Sequence, residues 1–206
     1  MKSHKLGMIP IEEYIRRVQV ATTMHYQDAV QGVLAMSILG LPDLNSGILR
    51  ASIEIRLRTL LSSALMDGLL LSVSRMHDSK ADTDGIPSIL RMLRSDDVRK
   101  VVVASGCDHH LDEARAKWGR IRRVSPGYRT LRLLRDSTRA HLIVQKAFNQ
   151  EGGSVDLFAC ARETFAVIEH FMLAQGSDHK QLSLRADDWK LMGRDFWARL
   201  AGVATG

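Results

Sequence analysis

The chain has 206 residues and a formal net charge of +6, with 45% hydrophobic and 25% charged residues. These values are typical of one folded domain, and they exclude a disordered or low-complexity chain. Aromatic residues make up only 5% of the chain and there are four prolines, which favours helices over strands. We therefore predict a single all-α domain over residues 1–206.

The cysteines and the apolar stretches bear on the compartment. Cys107 and Cys160 are isolated, without the paired spacing of a disulfide framework or a zinc site. The first five residues lack the continuous apolar core of a secretion signal, and the most apolar stretch, 64–73, is interrupted by Asp67. We predict a cytoplasmic protein that has no membrane association.

The predicted elements are helices, marked by apolar residues at helical spacing and by capping residues at their ends. Gly106 is predicted to end one of them, and Ser125-Pro-Gly127 is predicted to form a turn between two others. The predicted helices run from Pro10 to the Gly40-Leu-Pro42 break, from Ser46 to Arg75, from Pro87 to Leu93, from Ser95 to Ala104, from Asp108 to Val124, from Tyr128 to Phe148, from Asp156 to Gln175 and from Ala186 to Val203.

Long helices joined by short breaks predict an antiparallel helical bundle with additional short helices. Residues 186–206 are expected to form an appended C-terminal capping helix. Its apolar stripe is expected to face the core or a dimer surface rather than a ligand; the stripe consists of Trp189, Met192, Phe196, Trp197 and Leu200.

Positive charge is concentrated in one segment, residues 108–139. Nine cations stand there against four anions, which accounts for most of the net charge. A concentrated basic field predicts an anionic partner, nucleic acid first, whereas a solvated charged face is the alternative interpretation. The cations are Arg115, Lys117, Arg120, Arg122, Arg123, Arg129, Arg132, Arg135 and Arg139.

The helix around Arg135 combines cations with a histidine. At about 100° per residue, four cations fall on one face and can contact a phosphate backbone; they are Arg132, Arg135, Arg139 and Lys146. His141 follows Arg135 by six residues, roughly 9 Å along the axis and about 120° around it. The two side chains therefore cannot converge from one straight helix. His141 is either a boundary histidine bonded to a neighbouring helix, or it meets Arg135 of a second copy across a twofold axis.

Three further stretches accompany this motif: Leu69-Leu-Leu-Ser-Val-Ser-Arg-Met-His-Asp78, Ile86-Pro-Ser-Ile-Leu90, and Trp118 ahead of Leu131-Arg-Leu-Leu-Arg135. With Arg135-Asp-Ser-Thr-Arg-Ala-His141, they make the chain resemble the HEPN superfamily of helical ribonucleases, specifically its abortive-infection U-type branch. Met76-His77 stands where a more apolar pair is expected before Asp78. The resemblance covers most of residues 48–144.

The resemblance implies a metal-independent endoribonuclease of toxin or antiviral-defence type, which acts as a homodimer with a composite active site. His141 would be the general acid or base at the ribose 2′-hydroxyl and the leaving 5′-oxygen, and Arg135 would stabilise the phosphorane. Asp136 would orient one of them. The expected product is a 2′,3′-cyclic phosphate, so DNA should not be cut. An antitoxin or a neighbouring regulatory protein is an expected partner.

Two groups of charged residues are accessory candidates. Arg75 and Asp78 are spaced to pair with each other at a helix end, or to approach the cleft. Three cations before the predicted turn could extend the RNA track or form a solvated face; they are Arg120, Arg122 and Arg123.

Other chemistries are not predicted. Cys107-Asp-His-His110 is too crowded for a zinc site, no glutamate is followed three residues later by histidine, and the phosphate-binding and serine-hydrolase loops are missing. No metal or cofactor is expected. The main alternative to an enzyme is a non-catalytic basic helical module that binds nucleic acid, or a HEPN-like partner protein. A regulatory protein that binds a small anionic ligand in the same cleft is a third hypothesis.

Overall fold

The fold is all-helical in the computed structural model, which describes residues 10–39, 52–80, 83–136, 153–177 and 186–200. The helices are α1 (Ile11–Leu39), α2 (Ser52–Met76), α3 (Ile86–Met92), α4 (Asp96–Val102), α5 (Asp108–Val124), α6 (Pro126–Asp136), α7 (Gly153–Ala174) and α8 (Ala186–Leu200). The predicted all-α class is confirmed, and no strand occurs within these ranges.

The first helix follows Pro10 and ends at Leu39, as predicted. Proline suits this position because its missing N–H would have no intrahelical acceptor there. One face of α1 is buried at three- and four-residue intervals. Its buried residues are Val18, Ala21, Thr22, His25, Ala29, Gly32, Ala35 and Ile38.

The core lies between α7 and the helices that surround it. α5 packs along α7 more extensively than any other pair of helices in the described ranges, and α6 packs beside it. On the other side, α1 contacts α2, α7 and α8 as well as the short helices α3 and α4. Phe165 and Phe171 of α7 are almost fully buried, as are Leu111 and Ile121 of α5, so α7 is the central element of the bundle.

The predicted turn at Ser125-Pro-Gly127 is wrong. Only Ser125 separates α5 from α6, because Pro126 already occupies the first helical position. Gly127 is buried, and a Cβ there would meet the backbone carbonyl of Asp156 and lie 2.8 Å from the Cβ of Cys160. Glycine is needed here for the close approach of α6 to α7 rather than for a turn.

The predicted end of the fourth helix also differs. α4 ends at Val102, before Gly106, which has a φ of 80° in the turn that leads into α5. Ser95 occupies the predicted N-cap position, but its side chain makes no capping hydrogen bond. The glycine thus supplies the left-handed conformation of the connection and does not terminate the helix.

Other predicted boundaries are close or fall outside the described residues. α5 has the predicted bounds, whereas α7 begins at Gly153, earlier than Asp156. The predicted start near Ser46 and the predicted ends near Phe148 and Val203 lie outside the described ranges.

The C-terminal helix packs against the first. Gly193 of α8 is buried, and a Cβ there would lie 2.8 Å from the carbonyl oxygen of Ser37 on α1. Met192 and Phe196 of the predicted apolar stripe are 51% and 37% exposed, so these two residues are not core. None of the helices in the described ranges has the length and apolar character needed to cross a membrane.

Candidate nucleic-acid interface

Positive charge on α5 increases from its N-terminus to its C-terminus. At the N-terminal end, Asp108 pairs with Arg99 at 2.6 Å and Asp112 pairs with Arg115 at 3.2 Å. At the C-terminal end, three exposed cations have no carboxylate within ion-pair distance among the residues that the structure describes; they are Arg120, Arg122 and Arg123. The last turns of α5 therefore carry an uncompensated positive charge, which is suited to an anionic partner.

α6 carries one further exposed cation near its start and the first residues of the Arg135 motif at its end. Arg129 is exposed near the start of α6, and the helix includes Arg132, Arg135 and Asp136. Arg139, His141 and Lys146 lie outside the described residues. Within α6, Arg135 thus lies about two and a half turns after Pro126, the residue at which the helix following the exposed arginines of α5 begins.

A cavity of about 230 Å³ opens where α2, α3, α5 and α6 meet. Arg122 lies at its exposed rim, whereas Trp118 and Leu131 are almost fully buried in its wall. None of the described residues that line it carries a carboxylate. These residues are Ser74, His77, Ser79, Pro87, Trp118, Arg122, Tyr128 and Leu131.

Three aromatic rings form one side of this cavity. The imidazole of His77 stands edge-on to Trp118, with centroids 4.9 Å apart, and lies 5.3 Å from the ring of Tyr128. Trp118 and Tyr128 are also perpendicular to each other, at 6.2 Å. The two perpendicular pairs have the separation and orientation that aromatic rings prefer, so the rings support one another in fixed positions.

A hydrogen bond to the central helix α7 fixes the ring of His77. Its Nε2 atom lies 2.7 Å from Oγ1 of Thr164, and that hydroxyl donates its hydrogen to the carbonyl oxygen of Cys160 at 2.8 Å. Since a hydroxyl has one hydrogen to donate, Thr164 must accept from His77. The hydrogen of a neutral His77 is therefore on Nε2.

Arg75 and Asp78, the accessory candidates, make separate contacts. The guanidinium of Arg75 lies 3.1 Å from each carboxylate oxygen of Asp28 on α1. The carboxylate of Asp78 accepts a hydrogen bond from the backbone N–H of Lys80 at 3.1 Å. The ion pair of Arg75 therefore links α2 to α1 and does not close its own helix end.

The segment after α2 is attached to α1 at two further points. Arg17 forms an ion pair with the carboxylate of Asp84, and Nε2 of His25 lies 2.9 Å from the carbonyl oxygen of Asp84. Burial lowers the pKa of His25 from its usual value, so the neutral ring donates this bond at neutral pH. These contacts hold the segment that supplies Ser79 to the cavity.

Three histidines cluster at the other end of α5, with their rings tilted against one another. The rings of His109 and His110 are 3.9 Å apart, and His110 lies 5.7 Å from His170 on α7. Burial lowers the pKa of both His110 and His170, and neighbouring cations lower it further. Within the described ranges, no group of three or more His, Cys, Asp or Glu side chains is arranged to hold a metal ion.

Sequence reasoning identified the basic surface but missed the cavity. Arg122 was a predicted site residue, and the structure places it at the rim. The contact between His77 and Thr164 joins residues 87 positions apart, so no local pattern could indicate it. The only signal was that His77 falls at helical spacing from the apolar residues Leu70 and Val73, where a polar side chain needs a partner if it is buried.

Comparison of this chain with protein-family models, with curated proteins and with solved structures finds no match.

Proposed function

We propose that this chain is a metal-independent endoribonuclease of toxin or antiviral-defence type. The observation that supports the proposal most is the uncompensated positive charge of Arg120, Arg122 and Arg123, next to the helix that carries Arg135. Arginine presents a planar set of donors that matches phosphate oxygens, and it remains charged at every relevant pH. Such a surface binds the RNA backbone and brings it to the motif.

The motif residues supply the chemistry in this proposal. The ribose 2′-oxygen attacks the adjacent phosphorus while His141 accepts the 2′-hydroxyl proton. Arg135 stabilises the negative charge that develops on the phosphorane. The bond from phosphorus to the 5′-oxygen then breaks, and a protonated histidine donates a proton to that oxygen. The products are a 2′,3′-cyclic phosphate and a 5′-hydroxyl, and Asp136 orients the arginine or the histidine.

A homodimer is part of the proposal, because Arg135 and His141 would diverge if both lay on a single straight helix. Ideal helix geometry would separate them by roughly 9 Å along the axis and about 120° around it. In a twofold dimer, each arginine can approach the partner's histidine, and the two motifs line one composite cleft. Sedimentation equilibrium is expected to give twice the mass of one chain. An antitoxin or a neighbouring protein would act by closing this cleft.

The second candidate function is a non-catalytic nucleic-acid-binding protein. The exposed arginines at the end of α5 favour it, since they can bind phosphates without any contribution from Arg135 or His141. Both candidates predict RNA binding that weakens as salt is added. They differ in whether the bound RNA is cut.

The experiment incubates the full chain with end-labelled single-stranded RNA, and with DNA of the same sequence, in buffer containing EDTA. Arg135→Ala and His141→Ala are compared with Arg94→Ala, a matched control that removes one exposed cation between α3 and α4. The nuclease proposal expects RNA to be cut while DNA is not, with loss of cleavage in the two motif variants only. Uncut RNA that binds wild type and all variants in a salt-dependent manner would instead establish the binding protein.

A further inference from the structure

The cavity between α2, α3, α5 and α6 has no role in the cleavage chemistry. We propose that it binds a single ribonucleotide unit of the RNA, with the phosphate on Arg122 at the rim and the base against Tyr128 and Trp118. This inference rests on the proposed function, because it identifies the substrate subsite beside the same basic surface. It would make this cavity the place where the protein distinguishes one nucleotide from another.

The rim of the cavity has the charge that a phosphate requires. Other arginines of the described ranges already pair with carboxylates, among them Arg75, Arg99 and Arg115. Within these ranges, Arg122 has no such pair, and none of the residues that line the cavity carries a carboxylate. An approaching phosphate therefore displaces no carboxylate from Arg122 and meets none in the described part of the cavity wall. The hydroxyls of Ser74 and Ser79 line the same cavity and provide further donors.

The interior of the cavity suits one aromatic base. Its volume of about 230 Å³ is below the range of about 300–1,000 Å³ for drug-sized ligands, which limits the occupant to a small group. Tyr128 is half-buried and presents part of its ring, while Trp118 forms the deeper wall. Aromatic side chains bind unpaired bases by stacking, as single-stranded RNA allows and duplex RNA does not.

The aromatic wall is held in place before any ligand arrives. His77 is fixed by its bond to Thr164 and stands edge-on to Trp118. Residues that do not have to be ordered on binding cost less conformational entropy, so a small ligand can bind with useful affinity.

The test measures binding of AMP, CMP, GMP and UMP to the full chain by isothermal titration calorimetry, beside inorganic phosphate and the unphosphorylated nucleosides. Three variants are compared: Arg122→Ala, Tyr128→Leu, and the matched control Arg94→Ala, which removes an exposed arginine outside the basic surface of α5 and α6. At least one mononucleotide should bind more tightly than phosphate or its own nucleoside. Arg122→Ala should weaken that binding by about tenfold or more, the effect of losing one charged hydrogen bond, and Arg94→Ala by less than threefold. Tyr128→Leu should weaken the binding of the nucleotide but not the binding of phosphate.

Four results would overturn the subsite: no mononucleotide binding, equal affinity for phosphate and nucleotides, equal losses in Arg122→Ala and Arg94→Ala, or nucleotide affinity that Tyr128→Leu leaves unchanged. The cleavage assay separates this inference from the proposed function. Nucleotide binding at Arg122 without RNA cleavage would support the proposed subsite and contradict the proposed nuclease. The opposite outcome is RNA cleavage that neither Arg122→Ala nor Tyr128→Leu changes, together with no nucleotide binding. It would support the proposed nuclease and contradict the proposed subsite.

Discussion

The Nε2 atom of His77 lies 2.7 Å from the hydroxyl oxygen of Thr164, although the two residues are 87 positions apart. Both are buried, and the bond joins the end of α2 to the central helix α7. The hydroxyl of Thr164 in turn donates a hydrogen bond to the backbone carbonyl oxygen of Cys160. The imidazole that forms part of the cavity wall is thus positioned by a short chain of hydrogen bonds through the core.

Replacing Thr164 with valine should destabilise the protein, because buried Nε2 of His77 then has no hydroxyl acceptor. We expect the free energy of unfolding to fall by about 1–3 kcal/mol, as measured by urea denaturation. Thr22→Val is the matched control, since Thr22 is equally buried and its hydroxyl donates only to Val18 of its own helix. The control should lose about 1 kcal/mol or less. Equal losses in the two variants would contradict the role of the histidine bond.

Two glycine substitutions should change stability in opposite directions. Gly127→Ala places a methyl group against the backbone of Asp156, and we expect it to lower the free energy of unfolding by about 1–3 kcal/mol through overpacking. At the exposed Gly68 in α2, a Cβ meets no atom within 4 Å. Gly68→Ala should raise stability by about 0.5–1 kcal/mol, because glycine is a poor helix former. Thermal unfolding of both variants tests this, and a stabilising Gly127→Ala would contradict the close packing of α6 on α7.

The two cysteines should differ in reactivity. Cys160 is fully buried, and burial raises the pKa of its thiol to about 11, so it stays protonated and unreactive at pH 8. Cys107 is only half-buried, at the start of α5. In the native protein, a thiol reagent such as DTNB should label one cysteine rapidly. This rapid labelling should be absent in Cys107→Ser. Rapid labelling that persists in Cys107→Ser would show that α7 opens readily.

Stability should fall as the pH drops below about 6.5. Burial is the largest cause that lowers the pKa of His110 and His170, followed by the positive charge of His109 near His110 and of Lys117 near His170, while Glu113 opposes both shifts. A histidine whose pKa is lower in the folded state binds more protons when unfolded, so its contribution is present above the unfolded pKa of about 6.5 and is lost below it.

Urea denaturation between pH 8 and pH 5 measures this dependence. The double variant His110→Gln and His170→Gln should lose less stability on acidification than the wild type. The exposed His109→Gln is the comparison variant, and it should retain most of the wild-type decrease. If the double variant keeps the wild-type pH profile, other groups, such as buried His25, cause the loss of stability at low pH.

The sequence predicted the helices well because apolar periodicity and caps are local signals. Pro10 and the Asp108–Val124 segment are examples in which the predicted and observed elements agree. The turn at Ser125-Pro-Gly127 was wrong because proline and glycine are compatible with both a turn and a helix start. Only the packing of Gly127 against Asp156 distinguishes the two.

The site could be predicted only in part. The charge imbalance of α5 is visible in composition, whereas the neutralisation of Asp108 by Arg99 depends on how two helices meet. Residues from four separate helices surround the cavity, and His77 in its wall contacts Thr164 on a fifth helix. No local spacing pattern in the sequence predicts which residues of separate helices come into contact. The roles of Arg135, Asp136 and His141 remain predictions.

The most direct test of the central claim is the chemistry of the cleaved ends. RNA cut by the wild-type protein in EDTA should carry a 2′,3′-cyclic phosphate and a 5′-hydroxyl, and a single 2′-deoxy substitution at the cleaved position should block the cut. This is the outcome that attack by the 2′-hydroxyl requires. Products with 5′-phosphates, cleavage that tolerates the 2′-deoxy substitution, or RNA left intact at every protein concentration would contradict the proposed ribonuclease.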